Sequence, residues 1–284
     1  MPTPQYGDYQ MEIYGAGLHG QLPRFPVDYA SLERAAIEAL PSWVYSYVGY
    51  GAGDGGTQRA NVEAFSRYGI VPRMLVAPTE RDLSVSLFDM QLSSPLFMPP
   101  VGVVGVCSQD LHGDIQVAQA SARTGVPMVA STLTQDRMED VVPHAGETPN
   151  LFQLYTSNDK ELAASFVRRA EQSGYKAVVV TLDTWITGWR PHDLNMANFP
   201  QLRGYCLQNY FTDDVFLGAA VQITAGRSSG GGPRMGEGLW PSSTVGRPQL
   251  AASIDKVTDA AQGHSTPRRC AQSARLRHRR HLLL

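Results

Sequence analysis

The sequence predicts an α/β fold: the first half of a (β/α)8 TIM-type barrel, with an N-terminal helical segment before it and a disordered tail after it. Three observations predict this. From residue 96 to 217, short continuous apolar runs alternate with stretches of helical length. Polar residues collect at the C-terminal ends of those runs. Beyond residue 217 the composition changes and there is little left from which to build a core.

The lead-in segment, residues 1–95, begins as helices. Asp28 is a suitable N-cap for a helix carrying Leu32, Ala35, Ala36, Ala39 and Leu40 on one face. Pro41 restarts a short helix through Tyr47, which Gly49, Gly51 and Gly53 end. Thr57 is expected to cap a third, with Val62 and Phe65 inward and Gly69 at its C-terminal end.

The second segment, 96–217, changes period. Apolar runs at 96–101, 127–132, 150–155 and 177–183 predict four strands. Between them Asp114–Thr124, Thr134–His144 and Asn158–Ser173 predict helices. Asn158 is the expected N-cap of the last, Leu162, Phe166, Val167 and Ala170 form its stripe, and Gly174 stops it. Strand and helix alternating through short connections mean a parallel sheet, since parallel neighbours need crossovers. Runs that are apolar throughout suit strands buried on both faces.

A doubly wound sheet and a barrel both fit four such units. Ser131, Thr132, Gln153, Tyr155, Thr181 and Asp183 all fall at strand C-termini, the rim where a barrel carries its chemistry. No G-x-G-x-x-G follows the first strand, which leaves a dinucleotide fold with little support. The barrel is favoured.

Composition narrows the function classes. A hydrophobic content of 43% is ordinary for a soluble globular chain. Cys107, Cys206 and Cys270 are widely spaced and form no CxxC, so neither a disulfide framework nor a metal site is suggested. No secretory signal or membrane span is evident, and a cytoplasmic location is the default. The third segment, 218–284, has ten basic and three acidic residues, net +7, and only Trp240 among aromatics. Residues 1–217 have 14 basic and 23 acidic, net −9. Gly-rich SSGGGP and Arg-rich RLRHRRH in a stretch so poor in large hydrophobes cannot repay ordering entropy. Such text is what a shifted reading frame in a GC-rich gene produces. A basic partner-binding tail is the rival, and nucleic-acid binding is the weaker form of it, because aromatics are not interleaved with the charges.

The motifs YSYVGYGAGD, TQRANVEAF, PRMLVAPTERDLSV, QASARTGVP, FQLY, LDTWITGWRP and LRGYCLQNYFTD occur in this order. With them the chain from about Tyr6 to Phe216 resembles the FMN-dependent 2-hydroxy acid dehydrogenase and oxidase family, most closely its lactate 2-monooxygenase branch. The resemblance implies an eight-stranded βα barrel, FMN as cofactor, and a small 2-hydroxy acid and oxygen as reactants. Neither nucleic acid nor membrane is implied as a partner, and full-length relatives are homo-oligomers. It matches Pro100, Val101 and Gly102 to a backbone clamp on the flavin ring, where a small residue lets backbone approach a flat ligand. Ser131, Gln153 and Thr181 match side chains that bond the isoalloxazine edge. Tyr47 and Tyr155 match two phenols facing substrate, Arg190 an arginine beside its carboxylate, and Asp183 the carboxylate that orients a catalytic histidine. Taken singly, Ser131 and Thr181 read as ordinary strand ends, Tyr47 as packing and Arg190 as a surface charge. Gln153 and Asp183 are harder to dismiss, because a buried polar group on a strand needs partners.

The same resemblance implies a late His-Gly-Gly-Arg motif, holding the base and a substrate-binding arginine, and a lysine near flavin N1. No His-Gly-Gly-Arg occurs in the sequence, and Lys256 follows Ala-Ser-Ile-Asp rather than an apolar run. Of the seven histidines, His192 lies near Arg190, but its spacing does not match the base. The expectation is an enzyme by descent whose own chain is incomplete and inactive. The alternative is a non-catalytic remnant with weak flavin or partner binding.

Overall fold

The computed structural model describes residues 7–76, 82–184, 186–218 and 281–283, in two compact units divided after Tyr50. The first unit holds three helices: α1 (Asp8–Gly17), α2 (Tyr29–Ala39) and α3 (Ser42–Gly49). Asp28 does cap α2, accepting from the Ser31 amide at 2.9 Å, a bond that stabilises a first-turn N–H without a helical partner. Pro41 precedes α3, whose Val44 and Ser46 are buried and whose Tyr45 ring meets Tyr50 edge-on. No residue period foretells α1.

The second unit opens with α4 (Gly56–Ala64). Its N-cap is Gly55 at φ +74°, not Thr57, and the Asp54 carboxylate accepts from the Gly56 amide at 2.9 Å. Val62 and Phe65, expected inward, are exposed. Periodicity selects a face of a helix without supplying anything to cover it. The hairpin β1 (Val85–Leu87) and β2 (Met90–Leu92) then pairs antiparallel, another element the sequence reading lacks.

The apolar run at 96–101 forms only a parallel bridge, Met98 to Met128. α5 (Gly113–Thr124), β3 (Val129–Ala130), α6 (Met138–Val141), β4 (Leu151–Leu154), α7 (Lys160–Ser173) and β5 (Ala177–Val180) follow. The strands pair in parallel in chain order, Val129 with Leu151 and Leu151 with Ala177. That is the predicted βα alternation. The predicted helix over 134–144 shrinks to α6 and a 3-10 turn at Val142–Ala145. Its expected first turn is held open instead, with the Gln135 amide bonded to Asp114 and the Met138 amide to Asn209. Asp159 rather than Asn158 caps α7, accepting from Glu161 and Leu162, and Gly174 ends it in the left-handed region. α8 (Pro191–Asn195) and α9 (Gln208–Phe211) complete the α-helices among the described residues.

Two cores lie on opposite faces of this sheet. Ala130, Phe152, Leu154 and Val178 pack with Ala118 of α5, Met138 of α6 and Phe166 of α7. Val129, Leu151, Ala177 and Val179 pack with Met90 and Leu92 of the hairpin. The period of two sends alternate residues to alternate faces, and both are covered, which accounts for the unbroken apolar runs.

β6 (His281–Leu283) lies parallel beside β5, pairing Val178 with His281. This corrects the expectation of a structureless tail at three residues. His281–Leu283 contributes backbone to an edge that would otherwise present unpaired groups. The rest of that expectation, residues 219–280 and Leu284, lies outside the described residues. Among the described residues no helix is long and apolar enough to cross a membrane.

Candidate active site

Alternation along the strands carries Val129, Leu151 and Val179 on one face to Ser131, Gln153 and Thr181 one step beyond. All three sit where the strands end, and the structure ties them together. Gln153 Nε2 donates to Thr181 Oγ1 at 2.8 Å, and Ser131 Oγ donates to Gln153 Oε1 at 3.2 Å. The Thr132 amide also donates to Gln153 Oε1, at 3.1 Å. A backbone N–H can only donate, so it fixes which end of the carboxamide is oxygen. Ser131 Oγ in turn accepts from the Leu133 amide at 3.1 Å. Ser131, Thr132 and Gln153 are almost fully buried and Thr181 is half-buried.

Gly102 approaches the same point. A Cβ built on it would lie 3.5 Å from Ser131 Oγ and 3.5 Å from Leu133 Cβ. Pro100 and Gly102 are half-buried and Val101 is exposed. Val103 follows with φ +71° while fully buried, a conformation that is strained for a β-branched residue. Its amide donates to the Leu133 carbonyl at 3.1 Å, which pins the 100–103 segment to the turn after β3.

The remaining candidates are Tyr155, Asp183, Arg190 and Tyr47, and of these Tyr155 bonds a residue of this cluster. Tyr155 touches it through its backbone, its amide donating to Thr132 Oγ1 at 3.1 Å, while its half-buried side chain packs against the larger core. Asp183 is exposed and accepts from Thr184 Oγ1 at 3.1 Å. Arg190 is the N-cap residue of α8, and its Nε donates to the buried Asp193 carboxylate at 2.5 Å. The segment before it is held by the Gly53 amide, which donates to the Trp189 carbonyl at 2.8 Å. Tyr47 belongs to α3 of the first unit, half-buried.

Two residues to which the sequence reading assigns no role complete the arrangement. Thr132 Oγ1 donates to the Gln153 carbonyl at 2.6 Å, crossing from the end of β3 to β4. Asn209, fully buried in α9, donates from Nδ2 to the Thr132 carbonyl at 3.1 Å and to Thr134 Oγ1 at 2.8 Å. No local pattern marks Asn209, which follows another polar residue, Gln208, in LQNYF.

A second polar cluster lies near the start of α5. Asp114 is buried and accepts from the Gln135 amide at 2.8 Å. Burial pushes its carboxyl up to about 6, against the lowering effect of that bond. His112 Nδ1 stands 2.7 Å from Asp136 Oδ1, and the bond to Asp136 raises the imidazole pKa. Burial also pushes the Cys206 thiol up to about 12, which makes it a poor nucleophile at neutral pH.

Residues 36–253 match the family model described as FMN-dependent dehydrogenase. The chain is 38% identical over 217 residues to an FMN-dependent alpha-hydroxy acid dehydrogenase of Penicillium citrinum, covering 76% of this chain and 54% of that one. It is 36% identical over 193 residues to an L-lactate oxidase of Lysinibacillus sphaericus, covering 68% and 50% respectively. Among solved structures, a soluble mutant of the membrane-associated (S)-mandelate dehydrogenase of Pseudomonas putida superposes with a TM-score of 0.60 at 30% identity. It covers 69% of this chain and 54% of that one. A Pediococcus acidilactici lactate oxidase has the same fold, with a TM-score of 0.63 at 22% identity, covering 82% and 58%. The chain spans about half the length of the curated relatives it matches.

Proposed function

Because this chain belongs to the FMN-dependent dehydrogenase family, we propose that its strand ends form the flavin-holding side of a site for oxidising small, lactate-like 2-hydroxy acids. The observation that carries this reading is the bonded series Ser131, Gln153, Thr181 on one face of a parallel sheet. It lies at the strands' carboxyl ends, where barrels place ligands.

The residues fit the cofactor. Gly102 keeps the space beside Ser131 open, where a side chain would sit 3.5 Å from its hydroxyl. Gln153 spends one Nε2 hydrogen on Thr181 and retains the other. The Thr181 hydroxyl accepts that bond and retains its own proton. Two adjacent donors suit the carbonyl oxygens at the edge of a flavin ring. When bound, FMN would take the α-hydrogen and two electrons from the hydroxy acid and pass them on to oxygen.

The substrate side is less complete. Oxidation needs a base within reach of the hydroxyl proton, and the sequence contains no His-Gly-Gly-Arg. We therefore read the chain as holding flavin without turning substrate over by itself. The lactate 2-monooxygenase branch, a cytoplasmic location and the roles of Tyr47, Tyr155, Arg190 and Asp183 belong to the same proposal. One observation favours the second reading, a non-catalytic remnant: the Arg190 guanidinium is engaged by Asp193, three residues further along α8.

The test is spectral. The purified full chain should bind FMN, quenching flavin fluorescence, and its yellow colour should persist when L-lactate is added without air. Bleaching by lactate would overturn the inactivity. Failure to take up FMN would overturn the flavin-holding role and leave the remnant.

A further inference from the structure

We propose that Asn209 is a positioning residue for the cofactor-facing edge: it holds the Thr132 carbonyl and with it the backbone of Thr132, whose amide fixes the orientation of the Gln153 carboxamide. The consequence for flavin rests on the reading under Proposed function; the geometric coupling does not.

A glutamine side chain can turn its oxygen and nitrogen either way about its last torsion, and the two orientations present opposite hydrogen-bonding polarity. Neither flanking hydroxyl decides between them, since Ser131 and Thr181 can each donate or accept. The Thr132 amide does decide, because it can only donate, and it points at Gln153 Oε1 at 3.1 Å. The direction of the other Nε2 hydrogen of Gln153 is therefore set by where the Thr132 amide lies.

Thr132 follows β3, outside the regular ladder. Its own carbonyl, in the next peptide group, accepts from Asn209 Nδ2 at 3.1 Å, so the amide and the carbonyl of Thr132 are each held by an amide side chain. Asn209 is itself fixed on both of its polar atoms. Nδ2 is shared with Thr134 Oγ1 at 2.8 Å, and Oδ1 accepts from the Met138 amide at 2.8 Å. A single buried side chain in α9, 77 residues beyond Thr132, thus holds open the turn from which the Thr132 amide reaches Gln153. In a buried network each link stiffens the next.

The experiment uses the full chain and reads the side-chain NH2 resonances of Gln153, identified by their loss in Gln153→Glu. Asn209→Asp keeps the shape and the acceptor for Met138 but removes the donor that the Thr132 carbonyl requires. Asn209→Ser is a smaller, uncharged second variant. In whichever variant retains the far-ultraviolet circular dichroism of the unmutated chain, the Gln153 pair should shift and broaden. FMN affinity, from quenching of flavin fluorescence, should fall roughly tenfold, about one hydrogen bond's worth. A folded variant with an unchanged Gln153 pair overturns the proposal whatever FMN does. A shifted pair in a chain that takes up no FMN upholds the coupling and sinks the flavin-holding reading instead. Without any variant, the Thr132 amide should exchange with solvent among the slowest in the chain; exchange like an exposed loop amide overturns the proposal as well.

Discussion

Gln153 Nε2 donates to Thr181 Oγ1 at 2.8 Å across 28 residues of sequence, joining the ends of two neighbouring strands. The bond is a direct product of register. Gln153 pairs with Val179 in the ladder, so its side chain reaches diagonally to the next residue on the same face of the neighbouring strand, Thr181, just where the regular pairing stops. Replacing Gln153 with Leu would leave the buried Thr132 amide without its acceptor. Chemical denaturation should show a loss of about 1–3 kcal/mol, the cost of an orphaned buried donor. Gln153→Glu keeps that acceptor and should retain most of the stability, while turning a donor toward the flavin into an acceptor and weakening FMN uptake.

How much of this was legible in the sequence depended on whether a residue's partner was local. The strands at 150–155 and 177–183 and the helix ended by Gly174 follow from apolar runs, period and a left-handed stop. Ser131, Gln153 and Thr181 stand out as polar residues at the ends of apolar runs. Thr132 stands out in the same way, but its part and that of Asn209 lie in bonds to each other and to Gln153 that no local pattern encodes. Nor could periodicity foresee that the Gln135 and Met138 amides would bond Asp114 and Asn209 instead of closing a first helical turn. The exposed Phe65 makes the converse point: a helical stripe is visible in sequence, but its cover is not.

Arg169 on α7 holds two carboxylates at once. It meets both oxygens of Glu139, at 2.7 and 3.1 Å, and donates from Nη1 to Asp213 Oδ2 at 3.0 Å. The Asp213 side chain is fully buried, so Arg169→Met would strand a charge away from water. A stability loss of about 3–5 kcal/mol is expected from thermal or urea unfolding. Adding Asp213→Asn to that variant should recover part of it, as coupled neighbours do.

Gly113 opens α5 against the backbone of the 3-10 turn at Val104–Cys107. A Cβ there would fall 2.3 Å from the Val104 carbonyl oxygen and 2.9 Å from its carbon. Backbone cannot step aside as a side-chain tip can, so Gly113→Ala should cost about 3 kcal/mol or more. Gly174→Ala has the opposite character. Nothing lies within 4 Å, but φ is +96°, so only backbone strain opposes it, and about 1–2 kcal/mol is expected. Urea midpoints of the two variants should separate collision from strain.

Asp114 offers a pH test whose sign is fixed by its environment. Burial raises its carboxyl from 3.8 to about 6, so the folded state favours the protonated form. Its contribution to stability is complete below about pH 3.8, the unfolded value, and is lost as pH rises through about 6. Asp114→Asn keeps an oxygen that can accept from the Gln135 amide and abolishes the titration. The variant should therefore gain on the unmutated chain as pH rises, and the gain should level off above about pH 7, at about 3 kcal/mol for a carboxyl moved from 3.8 to about 6. His112, whose pKa the bond to Asp136 raises, moves in the same direction, its contribution lost at higher pH as the imidazole deprotonates. It is present in both proteins, so the difference between them isolates Asp114. Urea unfolding at pH 4, 6 and 8 checks the slope. A gap between variant and unmutated chain that stays flat across those three would mean that Asp114 does not titrate as its burial requires.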